Sequence, residues 1–395
     1  MAKKKKSSKD VMLPHSVAKV TFYEKYLERY LAIMSVQKWQ RRVNIFDVFC
    51  GRGEYEDGGL GSPIRAVQVI KKTMIDYPSD TEFHLYLNDL DKHHTENVKQ
   101  YLDANIPDHR QYVEIHYANV DAEGLLNRLC RKLAPTPTDV RNLLFIDPYG
   151  YKSIHKDTLE KLMDNGRTEI LLFLPVSFMH RFTHVAFDER RLKGTEPLRA
   201  FISSYFPEGH PVRSDEPMDV RQYISELSGA FSYDGKYYTA SFEIQRDKKN
   251  YFALFFICSN MLGFEKVIDV KWKLDDDYGR GFRLDNNEGM FPEFVEELKQ
   301  QREEERVEMM RVALLNLLQK RGRSNKEIYE YTLRMGYMPK VAGAALKQLQ
   351  KDDLIEVKSI GFDKKVRKGS FYLNYKGWRE PEIEVCLKQN ENNEN

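Results

Sequence analysis

Through residues 16–175 the chain alternates short apolar runs with stretches whose apolar residues recur every three or four positions. Five runs predict strands, at 43–49, 83–88, 112–116, 142–146 and 169–174, since short apolar or alternating segments suit a buried, pleated element. Between them, 64–73, 93–102, 123–133 and 156–163 carry helical spacing. Ahead of the first strand, Val17, Val20, Tyr23, Tyr26, Leu27, Tyr30 and Leu31 place an amphipathic helix over 16–34, with its tyrosines toward a core. This order predicts an α/β fold: a doubly wound, Rossmann-like, mainly parallel sheet covered on both faces, whose ligands bind at the carboxyl ends of the strands.

The pattern then changes twice. Residues 180–235 gain Pro, Glu and Arg and read as a mostly helical insert. Two further strands follow at 238–245 and 251–258, and the short polar link 246–250 makes them an antiparallel pair added to the sheet's edge. A charged helix at 292–308 leads away from this body. Helical patterns at 306–318, 325–335 and 340–351, followed by strands at 354–359 and 369–374, then predict a winged helix. Ser324 caps its second helix and Gly336 ends it. The third helix turns Val341, Ala345, Leu346 and Leu349 inward and Lys340, Lys347, Gln348 and Lys351 outward. The loop 361–369 carries Lys364, Lys365, Arg367 and Lys368 as a basic wing. The expected organisation is a basic tail (1–15), an α/β body (16–290) with its insert at about 180–235, a charged linker helix (291–308), a winged helix (309–378) and a polar tail (379–395).

Composition modifies this picture only locally. The 395 residues suffice for two or three domains, and no apolar run approaches the roughly 20 residues of a membrane span. The opening MAKKKKSSKD has lysines but no hydrophobic segment behind it, which argues against a secretory signal. Cys50, Cys130, Cys258 and Cys386 lie far apart without a CxxC pair, so a reducing, cytoplasmic setting is expected. The net charge of +2 conceals an excess in 309–378, where fifteen Lys/Arg face six Asp/Glu. A recognition helix with a basic wing on phosphates is the nucleic-acid reading of that excess, DNA or RNA. A winged helix used for dimerisation or partner docking is the alternative.

The candidate chemistry sits at the carboxyl ends of the predicted strands. DVFCGRGEYEDGGLGSP (47–63) lacks the third glycine of GxGxxG and any following GK[ST], so it is neither a dinucleotide fingerprint nor a P-loop. Asp47 closes the first strand, Gly51 and Gly53 let the backbone turn and approach a ligand, and Ser62-Pro63 starts the next helix with serine as its cap. Tyr55, Glu56 and Asp57 fall on an enlarged loop, a candidate lid. Asp89 follows the second strand, Asn119-Val-Asp121 the third, and Asp147-Pro148-Tyr149-Gly150 the fourth. A pocket so acidic suits a ligand bearing a ribose and positive charges, such as S-adenosylmethionine, better than a phosphate. At Asp147-Pro148-Tyr149, the carboxylate and the Pro148 carbonyl would accept N–H bonds from an exocyclic amine while Tyr149 stacks on an unstacked base. A plain Asp-Pro turn is the competing reading.

FDVFCGRGEYEDGGLGSP, LLFIDPYGY and YFALFFICSNMLGFEKVIDVKWK together resemble the bacterial three-Cys-motif partner protein family, over about 17–275 except the insert. The resemblance implies a class I S-adenosylmethionine-dependent methyltransferase fold and a radical-enzyme-like partner with three cysteines. NDLD, NVDA and IDPYG also resemble, more distantly, the tRNA guanine-N2 dimethyltransferases, whose motif reads Asp-Pro-Phe-Gly. By that resemblance Asp47, Gly51 and Gly53 hold the cofactor's amino-acid end, Asp89 its ribose, Asp121 the adenine edge, and Asp147 to Tyr149 the target amine. The long glycine loop and the missing second proline of DPPY depart from the common pattern.

No metal set is expected. His180 and His184, with Asp188 following, are more often surface or packing residues, and His93 and His94 point apart on a helix. Arg181 is either a phosphate contact or a solvated side chain. Two function classes remain: a nucleic-acid base methyltransferase, or a non-catalytic nucleic-acid-binding adaptor. A nuclease acting in defence or repair lacks a PD-(D/E)xK pattern.

Overall fold

The computed structural model describes residues 11–188, 193–214, 217–247, 249–275, 279, 281–284, 292–361 and 366–388. The chain divides into two compact units, Met1–Leu274 with Arg280–Leu284, and Asp275–Gly279 with Asp285–Asn395.

The first unit opens with α1 (Pro14–Ser35) and continues through β1 (Arg42–Asp47), α2 (Ser62–Asp76), β2 (Glu82–Asn88), α3 (Lys92–Asn105), β3 (Glu114–Ala118), α4 (Ala122–Leu133), β4 (Val140–Ile146), α5 (Lys156–Met163) and β5 (Thr168–Leu174). Then come α6 (Val176–Phe187), α7 (Glu196–Tyr205), α8 (Val220–Ala230), β6 (Tyr238–Asp247), β7 (Asn250–Cys258), α9 (Met261–Leu274) and β8 (Gly281–Phe282). The sheet order is β3-β2-β1-β4-β5-β7-β6-β8. Strands β1 to β5 pair in parallel, and β7 is antiparallel to both β5 and β6. This is the expected Rossmann-like α/β sheet, with the added hairpin joined through its second strand. The third strand begins two residues later than its apolar pattern suggests, because a 3-10 turn at His109–Gln111 draws the Val113 N–H onto the His109 carbonyl (3.1 Å).

Alternation along the strands divides two cores. Phe46, Val48, Leu144, Ile146, Leu172, Phe255 and Ile257 pack with α4, α5 and the insert helices α6 to α8. On the other face α1 lays down its aromatic stripe: Tyr23 stacks on Phe145 (4.5 Å), Phe22 meets Phe242 (4.9 Å) and Tyr26 meets Phe256 (4.8 Å). Burying each such ring contributes roughly 2–3 kcal/mol. Tyr23, Tyr26 and Tyr30 are core residues as expected, while Val17 is exposed.

The second unit contains α10 (Pro292–Leu318), β9 (Arg323–Ser324), α11 (Asn325–Arg334), α12 (Pro339–Lys351), β10 (Ile355–Ser359), α13 (Tyr375–Arg379) and β11 (Ile383–Leu387). The two helical patterns at 292–308 and 306–318 form one continuous helix. Ser324 and Glu327 make a capping box at the start of α11, and Gly336, with φ +79°, follows its end. The three strands form an antiparallel sheet ordered β10-β11-β9. The strand expected at 369–374 is absent; its place beside β10 is taken by β11. Buried Asn325 explains the substitution. Its Nδ2 donates to the carbonyls of Tyr372 (3.3 Å) and Gly377 (2.9 Å), holding that segment in a loop, while its Oδ1 accepts from the N–H groups of Glu382 and Ile383 where β11 begins.

Candidate functional site

The glycine loop is built as its sequence requires. β1 ends at Asp47, and the turn that follows places Gly51 at φ +64° and Gly53 at φ +82°. A Cβ on Gly53 would lie 2.7 Å from Val98 Cγ2 and 3.1 Å from Ile64 Cδ1, so the loop runs directly against α3 and α2. The Gly51 N–H donates to Asp89 Oδ2 (3.0 Å), and the Gly61 N–H to the Gly53 carbonyl (2.6 Å). Ser62 is not the cap of α2: Gly61 holds that position, and the Ser62 hydroxyl donates instead to Asp47 Oδ2 (2.6 Å). The enlarged loop is a tight hairpin. Glu54 bridges Leu60, the Tyr55 N–H donates to the Gly59 carbonyl (2.9 Å), and Asp57 Oδ2 accepts from the Met12 N–H (3.0 Å), fastening the tip to the entry of α1. A cleft of about 350 Å³ runs between this tip and Val17, Thr21 and Glu24 of α1.

Asp47 is 1% exposed, and its Oδ1 has no hydrogen-bond partner among the described residues. Burial lifts its pKa to about 7 against the pull of the Ser62 hydroxyl; the Asp147 charge adds to the rise, and Lys19 and the nearby Phe49 N–H oppose it. Neighbouring Cys50 is buried with its thiol pKa raised well above the usual value, first by burial and then by Asp47 and Asp89, so it is a packing residue rather than a nucleophile.

Asp89 is buried and holds two loops, accepting from Gly51 N–H at Oδ2 and from Asp91 N–H (2.9 Å) at Oδ1. Asp121 is exposed and caps α4, accepting from the Gly124 N–H (2.8 Å). Asn119 donates to the Asp89 carbonyl (3.0 Å) and to Thr95 Oγ1 (2.9 Å). Asn88, which sequence reasoning treated only as a strand end, joins three strand ends: its Nδ2 donates to the carbonyls of Val48 and Val120, and its Oδ1 accepts from the Val120 N–H, each at 3.1 Å.

Asp147 leaves the end of β4, followed by buried Pro148 and by Tyr149, which is 93% exposed. Asp147 Oδ2 is paired with Lys19 Nζ of α1, and the same ammonium lies 4.8 Å from the centre of the Phe173 ring. Lys19 was missed because it sits on the polar side of a helix read for its tyrosines; no local pattern announces a pair 128 residues apart. Two residues beyond Tyr149, Tyr151 faces Phe178 of α6 at 6.5 Å, and Phe178 meets Phe182 at 4.7 Å with both rings partly exposed.

The His180 ring is engaged by the Met218 carbonyl (2.6 Å), His184 is exposed, and Arg181 Nε donates to the Ser177 carbonyl (3.2 Å). In the second unit, Lys340, Lys347, Lys351, Arg367 and Lys368 are exposed, with Lys340 3.6 Å from Glu303. The Gly369 N–H donates to Gln350 Oε1 (2.8 Å), tying the loop's return to α12. Lys364 and Lys365 lie outside the described residues.

The fold and its strand ends define a Rossmann-like α/β protein with an acidic carboxyl edge. No family model matches the chain, and no curated protein matches it. Among solved structures it is similar to the O-methyltransferase from Bacillus cereus in complex with SAH (11% identity, 60% of this chain and 80% of that one, TM-score 0.31). It is also similar to the O-methyltransferase TomG from Streptomyces achromogenes in complex with SAM (14%, 60% and 79%, 0.31). A third is the N-terminal domain of human METTL16 in complex with SAH (9%, 60% and 69%, 0.28). No described helix is long and apolar enough to cross a membrane.

Proposed function

We propose that the first unit is an S-adenosylmethionine-dependent methyltransferase acting on an exocyclic amino group of a base in DNA or RNA. The observation that carries the proposal is the carboxyl edge itself, where buried Asp47 keeps an unfilled acceptor beside the glycine turn and Asp147-Pro148 stands next to the exposed Tyr149 ring. A carboxylate oxygen lacking a partner fits an ammonium donor such as the cofactor's amino-acid end. Asp89 accepts one N–H at each oxygen, with His94 Nδ1 also 3.1 Å from Oδ1, which leaves Oδ2 a lone pair for a ribose hydroxyl, and Asp121 stands near the third strand end for the adenine. S-adenosylmethionine supplies an electrophilic methyl sulfonium. Asp147 and the Pro148 carbonyl accept the N–H bonds of the target amine, drawing its lone pair out of the ring, and Tyr149 stacks on the base. The second unit, read as a winged helix, offers Lys340, Lys347, Lys351, Arg367 and Lys368 to phosphates.

Calorimetry with S-adenosylmethionine tests the cofactor; no heat at millimolar ligand rejects the reading. Transfer of tritiated methyl to nucleic acid tests the chemistry. Asp147→Asn should lower transfer at least about a hundredfold while sparing cofactor binding, and undiminished transfer rejects the role of Asp147.

The Lys19–Asp147 pair supports a second reading, a non-catalytic adaptor in which the methyltransferase-like body positions the nucleic-acid-binding unit beside a radical-enzyme-like three-Cys partner or within a defence or repair assembly. Asp147 there is a structural anion for α1. Under it, Asp147→Asn weakens folding, and no methyl transfer occurs with or without the partner.

A further inference from the structure

We propose that His84, Glu114 and His116 form a divalent transition-metal site, suited to zinc, which staples the outer strand β3 to β2. The residues belong to the first unit and lie away from the glycine loop. In the parallel β2–β3 register His84 pairs with Glu114 and Tyr86 with His116, so the three side chains project from one face at the amino-terminal part of the pair. His84 Nδ1 is 3.2 Å from His116 Nε2; Glu114 Oε2 lies 3.5 Å from the first nitrogen and Glu114 Oε1 3.3 Å from the second, and one ligand atom from each of the three residues falls within 4.8 Å of the others. The nitrogen pair is close to the edge of a tetrahedron with metal–ligand bonds of about 2.0–2.1 Å, about 3.3–3.4 Å long, and a turn of the exposed Glu114 carboxylate brings one oxygen to both nitrogens. Among the described residues no other trio of His, Cys, Asp or Glu converges in this way.

The surroundings hold the donors in place. Phe46, Tyr86 and His116 stack across three strands at 4.6 and 4.4 Å, and His84 lies nearly parallel to His116 at 5.5 Å, which fixes both imidazole planes. On the far side of the His84 ring, Nε2 is 3.7 Å from the Glu82 carboxylate, itself bonded to Arg42. A ligating histidine whose other ring nitrogen faces a carboxylate is oriented and made more basic by it. Without a metal, one proton must sit between His84 and His116 to make their contact a hydrogen bond. On zinc binding that proton moves to the far nitrogen of its own ring, leaving two imidazole lone pairs, one carboxylate oxygen and a fourth position for water.

The test uses full-length protein stripped with a chelator and titrated with zinc chloride against a chromophoric competitor, with cobalt(II) absorption reporting the coordination. One zinc per chain and a tetrahedral cobalt spectrum are expected. His116→Gln should abolish the tight site, and Glu114→Gln should weaken it at least about tenfold. Glu114 is largely exposed, so its replacement should leave the metal-free melting curve unchanged. Absence of zinc binding at micromolar metal, or equal affinity in wild type and Glu114→Gln, overturns the proposal and leaves the trio a hydrogen-bonded cluster.

Discussion

Gly51 and Gly53 occupy the same backbone region for different reasons, and substitution should separate them. A Cβ on Gly51 meets nothing within 4 Å, so Gly51→Ala should cost only the left-handed backbone, about 1 kcal/mol. Gly53→Ala adds a collision with Val98 and Ile64 and should cost about 3 kcal/mol in urea unfolding. A second residue-scale expectation concerns Glu169, which accepts from the Tyr26 hydroxyl and whose pKa burial raises to about 7 against the pull of Tyr26 and Arg141. Between roughly pH 4.5 and 7 the unfolded chain loses this proton while the folded chain keeps it. Glu169 therefore makes stability fall as pH rises through that window. Glu169→Gln removes the slope, and its gain over wild type should grow from nothing near pH 4 to on the order of 3 kcal/mol at pH 8, measured by urea unfolding at each pH.

At the scale of elements, Asn325 and Ser324 are neighbours with unequal duties. Ser324→Ala removes a cap and should cost about 1 kcal/mol. Asn325→Ala strips four backbone groups, two of them in fully buried bonds, of their partner and should cost about 3 kcal/mol, with amide exchange rising across 372–384. Asn325 also shows what pattern reading could see. The strands of the first unit were legible because burial on both faces makes continuous apolar runs, and Gly336 and Ser324 carried helix ends in local chemistry. The segment 369–374 looked like a strand because Phe371 and Tyr372 suit one, yet a carboxamide some fifty residues earlier decides its path. The acidic strand ends were legible one at a time. Their partners Lys19 and Ser62 were not, nor were the bonds of Asn88 to the Val48 and Val120 backbone, since each acts across the fold on a residue distant in sequence.

For the whole molecule, the expected effect of the second unit's charges is electrostatic. On the proposed function, Lys340, Lys347 and Lys351 meet phosphates, so replacing each by Gln should lower the slope of log affinity against log salt by about 0.9 and weaken binding evenly across sequences. Fluorescence anisotropy over a salt series measures this. Unchanged slopes would move the lysines to a protein partner.

The aromatic seam of α1 has a consequence for synthesis. Phe22 and Tyr26 leave the ribosome more than 200 residues ahead of Phe242 and Phe256, the rings they finally meet. At roughly 5–20 residues per second that interval lasts on the order of 10–45 s. Throughout it Phe22 and Tyr26 lack their final partners, even after Phe145 has emerged to meet Tyr23, which makes the first helix a natural client for a ribosome-bound chaperone.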